Sequence, residues 1–312
     1  PYVVSREYPL DFGDIKGQNR AKRAALIAAA GMHNILMEGS PGCGKSMSAK
    51  RLHYILPPMS AKEVLETAAH RSLGGENAEF EALRPFRSPH HTSSRPSIFG
   101  GGSFQAKIGE VALAHHGILF FDEFPHFSKQ VLESLREPLE DGQVLISRVN
   151  SKVTYPTKFL FVAAQNPCPC GYRLSLQTSC RCTESEVARY KSKLSGPLLE
   201  RIDLHVQMEE QRSDEVGMDS KAMHNKVLKA FENQKKRGQK EFNGKLEGKA
   251  LEKWCVCNEE AHGILNQAAA RFGLSHRAIS KTLKVARTIA DIENSTNIES
   301  THMLEALSFR QR

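Results

Sequence analysis

The run Gly39-Ser40-Pro41-Gly42-Cys43-Gly44-Lys45-Ser46 places small residues where a chain must curl closely around an anion. Backbone N–H groups can reach phosphate oxygens there without Cβ obstruction, and a helix that follows offers its N-terminus to the same charge. Lys45 is suited to neutralise β/γ-phosphate charge, and Ser46 to offer its hydroxyl to Mg²⁺. Further along, Ile118-Leu119-Phe120-Phe121 ends in Asp122-Glu123. Asp122 is expected to hold Mg²⁺ through its water shell and Glu123 to orient and activate the attacking water. A third apolar run ends at Gln165-Asn166, where Asn166 could hydrogen-bond the γ-phosphate or that water. The three stretches predict binding and hydrolysis of Mg-ATP.

Arg201, in Gly196–Asp203, and Arg277, after Ser275-His276, carry positive charge of the kind that a phosphoryl-transfer transition state needs. Surface salt bridges are the competing reading of both. Cys168-Pro169-Cys170 and Cys180-Arg181-Cys182 stand nine residues apart. Four thiolates fill a tetrahedral Zn²⁺ shell, and a closed shell is structural rather than catalytic; reduced cysteines in a loop are the alternative. Cys43 reads as a small filler, and Cys255 and Cys257 as packing residues. His90-His91 and His115-His116 lack the i, i+4 spacing of helical metal ligands, so turn and packing roles are expected of them.

These residues require a scaffold of buried parallel strands. Asn34–Glu38, Gly117–Phe121 and Phe159–Ala164 are short apolar runs ending in polar or glycine-rich turns, and Leu204–Met208 is a fourth, more alternating one. Helical patterns at Gln18–Ala30 and Gly44–Leu56 lie between them, which predicts a doubly wound α/β layer. Gln143–Lys158 reads as a hairpin turning at Asn150-Ser151, and Ser97–Gly109 as a loop-rich insertion. Beyond an acidic, polar stretch at Glu209–Ser220, helical patterns follow at Lys221–Lys235, Glu259–Phe272, Ser275–Asp291 and Thr301–Phe309. Ser275 suits the N-cap of the third. The basic segment Arg237–Lys253 is expected to be an exposed excursion. The division predicted is a nucleotide-binding core over 1–208, with a zinc knuckle at 168–182, and a helical lid over 209–312.

The 312 residues carry a net charge of +8, which suits a polyanionic partner as well as plain solubility. No apolar run approaches the roughly 20 residues of a membrane span. The chain begins at Pro1 and continues in polar residues, so a fragment without a signal peptide, possessed of a cytoplasmic address, is the expectation.

Taken together, these pieces resemble AAA+ ATPases of the magnesium-chelatase-like branch, and more narrowly the ComM/YifB family of competence-associated ATPases. The resemblance covers nearly the whole chain. It includes Arg84-Pro85-Phe86-Arg87-Ser88-Pro89-His90-His91-Thr92, the run Gly109–Gly117 and the run Leu283–Asp291. It implies that Lys45 and Ser46 belong to Walker A, Asp122 and Glu123 to Walker B, and Asn166 to sensor 1. Arg201 matches an arginine finger acting in trans and Arg277 the sensor 2 arginine of the lid. Asp14-Ile15-Lys16-Gly17-Gln18 matches the segment that packs against adenine, so Gly17 and Gln18 join the ATP-binding set. A hexameric ring is implied, with Ser97–Gly109 as helix-2 insert and Gln143–Lys158 as pre-sensor-1 hairpin facing the pore. Lys107, Arg148 and Lys152 on these inserts become candidate DNA contacts. Relatives of the ComM type carry an N-terminal domain similar to part of the Lon protease, and the expectation is that these 312 residues do not include it. The functions implied are DNA branch migration in natural transformation, a chelatase-type ATPase serving metal insertion into a porphyrin, or a protein-remodelling ATPase.

Overall fold

The computed structural model describes residues 2–102, 107–147, 152–210 and 214–311. Its strands, in chain order, are β1 (Tyr2–Val3), β2 (Ile35–Glu38), β3 (Met59–Ser60), β4 (Phe86–Arg87), β5 (Ile118–Phe121), β6 (Gln143–Ser147), β7 (Lys152–Pro156), β8 (Leu160–Gln165) and β9 (Leu204–Gln207). Five of them form one sheet in the order β4-β5-β8-β2-β9, and every pairing in it is parallel. The register puts Ile35 opposite both Val162 and Leu204, and Ile118 opposite Leu160 and Phe86. Parallel pairing demands crossovers, and crossover helices bury both sheet faces.

The strands are accordingly apolar on both sides. Ile35, Met37, Ile118, Phe120, Leu160, Val162 and Ala164 enter one core cluster, whereas Leu36, Leu119, Phe121, Phe161 and Ala163 enter another. The period-2 alternation therefore assigns neighbouring residues to opposite cores rather than to core and solvent. The first cluster continues without a break into the C-terminal helices. Ala24, Ile27 and Ala28 of the Asn19–Gly31 helix share it with Val227, Val285 and Ile289.

Those C-terminal helices span Ser220–Lys236, Gly248–Trp254, Glu259–Phe272, His276–Ile292 and Ser300–Ser308. Ser275 caps the fourth by accepting the Ala278 N–H. The expected excursion at Arg237–Lys253 is corrected in its middle: Gln239, Asn243 and Leu246 are buried, whereas Lys240, Glu241, Lys249, Glu252 and Lys253 are exposed as expected. Asn243 donates to Thr288 Oγ1 and Asp291 Oδ2, and Arg237 grips both Asp291 oxygens. Gly244 lies so close to the Gly31 and Met32 carbonyls that a Cβ would stand 2.6–2.7 Å from them. A polar network and a glycine contact bury the middle of a segment whose composition suggests solvent.

The two insertions meet each other. β6 and β7 form the antiparallel hairpin, with Gln143 opposite Pro156 and Ser147 opposite Lys152. The first insertion opens with the helix Arg95–Phe99 and closes on a Gly101–Lys107 bridge. A Cβ on Gly100 would fall 2.4 Å from Ile146 Cδ1, so the insertion base rests directly on the hairpin. No described helix is long and apolar enough to cross a membrane.

Candidate nucleotide site and cysteine cluster

The glycine loop joins β2 to the helix Lys45–Leu52 at the C-terminal edge of the sheet, where open α/β folds bind ligands. Gly44 takes φ +100°, which L side chains rarely adopt, and a Cβ on Gly39 would stand 2.6 Å from Cys43 Sγ. Gly42 also lies at positive φ, +78°. Lys45 Nζ donates to the carbonyls of Gly39 at 2.7 Å and Ser40 at 2.9 Å, which folds the lysine over its own loop. The buried Gln18, held at φ 55°, accepts the Glu209 N–H and donates to the Cys43 carbonyl. It thereby ties the loop to the chain leaving β9. Gly17, at φ 64°, precedes it and donates to the Glu215 carbonyl.

Ser46 and Asp122 converge although 76 positions separate them: the Ser46 hydroxyl donates to Asp122 Oδ2 at 2.6 Å. Adjacent oxygens in an octahedral Mg²⁺ shell stand about 2.9 Å apart, so this pair fits two neighbouring positions of such a shell or of its water layer. Asp122 Oδ1 accepts the Glu123 N–H at 2.9 Å. Glu123 itself adopts φ 50°, an uncommon left-handed turn that directs the two carboxylates differently. Its side chain is half-exposed and pairs with His91 Nε2 at 3.2 Å. Asn166 follows β8, its carbonyl accepting the Tyr190 hydroxyl at 3.1 Å.

Arg201 and Arg277 are gathered elsewhere. Both grip Glu140, at the end of the Arg136–Asp141 helix: Arg277 Nη2 reaches Oε1 at 2.7 Å and Arg201 Nη2 binds Oε2. Arg201 Nη1 also donates to the Pro197 carbonyl. Among the described residues, their guanidinium hydrogen bonds run to these partners and none to the 39–46 loop. Glu140 itself is held below the usual carboxylate range by the Arg201 hydrogen bond first, then by both guanidinium charges. Glu140 has no sequence signal beyond its place on a helix.

The four cysteines close on one another. Sγ–Sγ distances are 3.4 Å for Cys168–Cys170, 3.8 Å for Cys168–Cys180 and 3.6 Å for Cys170–Cys180, and the Cys170 N–H donates to Cys182 Sγ. A tetrahedron of Zn–S bonds near 2.3 Å has edges of about 3.8 Å, so the donor set and spacing fit zinc. Backbone N–H groups of Tyr172 and Arg181 lower the Cys170 thiol to about 6, whereas desolvation and hydrogen bonds to the neighbouring sulfurs raise Cys180, and raise Cys182 to about 12, so without a metal the cluster favours one thiolate rather than four. The cluster also touches the glycine loop. Gly171, at φ +86°, packs so that a Cβ would lie 2.8 Å from Pro41 Cδ and Cγ and 3.4 Å from Asn166 Nδ2.

The paired histidines divide. His115 Nδ1 accepts the Lys158 N–H, so its proton sits on Nε2 and is donated to Glu66 at 3.0 Å. A ring committed this way has no lone pair for a metal. His116 Nε2 reaches the same Glu66 oxygen at 2.6 Å, which makes the group a hydrogen-bonded cluster beneath β5. His91, by contrast, stands beside Glu123. The arrangement of β4, β5 and β8 brings it there, and the sequence pattern alone does not. A cavity of about 760 Å³ opens beyond Glu38 and Gln165, lined also by Leu36, Tyr190, Met208 and Arg310 and by no residue of the 39–46 loop.

A parallel sheet in this strand order, a glycine loop after its first strand in sequence and an acidic pair after β5, with β8 between the two, define a P-loop α/β protein of the AAA+ type. The profile of the family described as "Magnesium chelatase, subunit ChlI" matches residues 11–216, and that of "Magnesium chelatase, subunit ChlI C-terminal" matches 217–310. The chain belongs to this magnesium-chelatase-like family of AAA+ proteins. It is 43% identical over 309 residues to the competence protein ComM of Haemophilus influenzae, covering 96% of this chain and 60% of the relative. The uncharacterized protein YifB of Salmonella typhimurium gives the same identity and coverage. The magnesium-chelatase 38 kDa subunit of Cereibacter sphaeroides is 23% identical over 177 residues, which cover 51% of this chain and 53% of that one. The chain thus spans about 60% of the length of the ComM and YifB relatives.

Proposed function

We propose that the chain is the ATP-hydrolysing module of a ring-forming DNA motor. The observation that carries the ATPase reading is the Ser46–Asp122 bond, which unites a phosphate loop with the acidic end of β5. In this reading Gly39–Ser46 cradles the phosphates, and Lys45 leaves its loop carbonyls for the β/γ-phosphates. Ser46 and Asp122 would hold Mg²⁺, which neutralises phosphate charge when bound. Glu123 polarises the attacking water, and Asn166 orients it from β8. Gly17 and Gln18 lie against the base. Arg201 serves the site of a neighbouring subunit in a hexamer, and Arg277 acts from a lid spanning 209–312 against a core spanning 1–208. Glu140 is then the carboxylate from which both arginines must be released. Cys168, Cys170, Cys180 and Cys182 hold a structural Zn²⁺ that braces Pro41 through Gly171. The similarity to ComM supports DNA branch migration in the cytoplasm as the work performed.

Contact with DNA rests on the two insertions. Lys107 and Lys152 are exposed on adjoining inserts that touch through Gly100 and Ile146. Arg148, the third candidate, lies outside the described residues. Phosphate contacts hold a strand without sequence preference and release counterions, so affinity falls steeply with salt. The test is log affinity against log salt for the wild type and for a variant with all three positions changed to Ala. Removing three contacts should lower the slope by about 2–3 and weaken binding. An unchanged slope and affinity would remove the DNA assignment. The match to chelatase subunits supports the second reading, an ATPase driving metal insertion, and that outcome would favour it.

A further inference from the structure

His91, Glu123 and His126 each offer a ligand atom, and these atoms all lie within 4.8 Å of one another. Two imidazoles and one carboxylate make a donor set suited to Zn²⁺ and its first-row neighbours. Mg²⁺, which prefers an all-oxygen octahedron, is a poor match, so this place is chemically separate from Ser46 and Asp122. The backbone is already fixed: the His126 N–H bonds to the Glu123 carbonyl at 2.8 Å, within a tight turn that Glu123 opens at φ 50°. The rings are held apart rather than stacked. His91 and His126 have centroids 5.7 Å apart at 76°, His91 packs edgewise on Phe127, and His126 edgewise on Tyr190.

We propose that His91, Glu123 and His126 form a second zinc site, whose occupation takes the Glu123 carboxylate out of catalysis. His91 Nε2 and Glu123 Oε2, at 3.2 Å, already match the bite of about 3.3 Å between two ligands of a tetrahedral zinc. His126 closes on them by rotation of its exposed side chain. Three protein ligands leave the fourth position to water, an open shell unlike the closed one at the four cysteines. A carboxylate bound to zinc cannot accept a proton from the attacking water, so occupation shuts off hydrolysis. This inhibitory half rests on Glu123 being the water-activating group; the site itself does not.

The experiment equilibrates the 312-residue chain with buffered micromolar free Zn²⁺ at saturating Mg-ATP, counting zinc per chain and measuring phosphate release. The wild type should hold one zinc more than His126→Ala, and its rate should fall about a hundredfold, as for loss of a general base. EDTA followed by fresh Mg²⁺ should restore the rate. His126→Ala should keep its zinc-free rate and resist zinc. His91→Ala, read by zinc content alone, removes a different ligand and should lose the same ion. Equal zinc in wild type and His126→Ala overturns the site. Equal inhibition of the two overturns the mechanism, because zinc would then be acting at the nucleotide. An additional zinc that depends on His126, in a chain that hydrolyses no ATP under any condition, upholds the site and overturns the ATPase reading instead.

Discussion

Acidification should unfold this protein well above the carboxylate range, because three histidines are stored neutral. Burial, the first cause in each case, lowers His115 to about 3 and His205 and His224 to about 4. The His116 charge adds to the effect at His115, the Lys281 charge at His205 and the Arg6 charge at His224. An imidazole in the unfolded chain titrates near about 6.5, so below that pH the unfolded state binds protons that the folded state refuses. Stability is therefore fully present above about 6.5 and is lost as pH falls toward 4 for His205 and His224, and toward 3 for His115. Between pH 6 and pH 5 each contributes a loss of roughly 1.2 kcal/mol, and the three together roughly 3.5 kcal/mol. His33, His53 and His116 are lowered in the same direction, so they add to the loss. Glu63, Glu66 and Asp203 are depressed carboxylates whose contribution disappears only below about pH 4, outside this window. Urea unfolding followed by the fluorescence of Trp254, the single tryptophan, reads the difference. With an m-value of about 3 kcal/mol/M, the midpoint should drop by about 1 M from pH 6 to pH 5. His224→Gln, which can still accept from the Tyr8 hydroxyl, should remove about a third of that drop. Midpoints that coincide at the two pH values, or an undiminished drop in the variant, would refute the reasoning.

Gly171→Ala should cost about 1–2 kcal/mol for its left-handed backbone and also weaken ATP binding by pushing Pro41. Gly75→Ala bears a similar φ of +78° with no neighbour within 4 Å, so it should lose stability while keeping ATP affinity, as calorimetric titration would show. Protein purified without added metal should carry one Zn²⁺ per chain by elemental analysis, and Cys→Ser changes at 168, 170, 180 or 182 should lower solubility before they touch nucleotide chemistry; less than about a tenth of an equivalent would dismiss the site. Mixing Arg201→Ala with Glu123→Gln chains should restore part of the ATPase rate. Failure at every ratio, despite co-assembly, would place Arg201 in its own subunit's chemistry or in none.

Much of the sheet was readable because its signals are local. Each of the apolar runs at 34–38, 117–121 and 159–164 yields a buried parallel strand, shifted by a residue at one end or both. The strands Gln143–Ser147 and Lys152–Pro156 follow the β-prone residues on either side of Asn150-Ser151, and the turn expected at those two residues lies outside the described residues. The edge strand Phe86–Arg87 is too short to carry a period, and its pairing with Ile118–Leu119 is visible only in three dimensions. The Ala61–Leu73 helix carries its sequence signal in the Ser60–Glu63 capping box rather than in an apolar period. Arg237–Lys253 misleads for a different reason. Its burial depends on Gly244 meeting the end of another helix and on Asn243 finding Thr288 and Asp291, contacts that no composition encodes. At the site, the residues of the loop and of the acidic strand end were legible through spacing. The partners His91 and Glu140, which come from elsewhere in the chain, were not.

On the proposed function, one loop binds Mg-ATP and a carboxylate beside it drives hydrolysis. The direct measurement is ATP affinity and steady-state phosphate release for the wild type, Lys45→Ala and Glu123→Gln under matched conditions. Lys45→Ala should lose tight ATP binding, whereas Glu123→Gln should retain it and turn over about 10²–10⁴-fold more slowly, the range for loss of a general base. Equal loss of affinity in both variants, or wild-type turnover in either, would contradict the account.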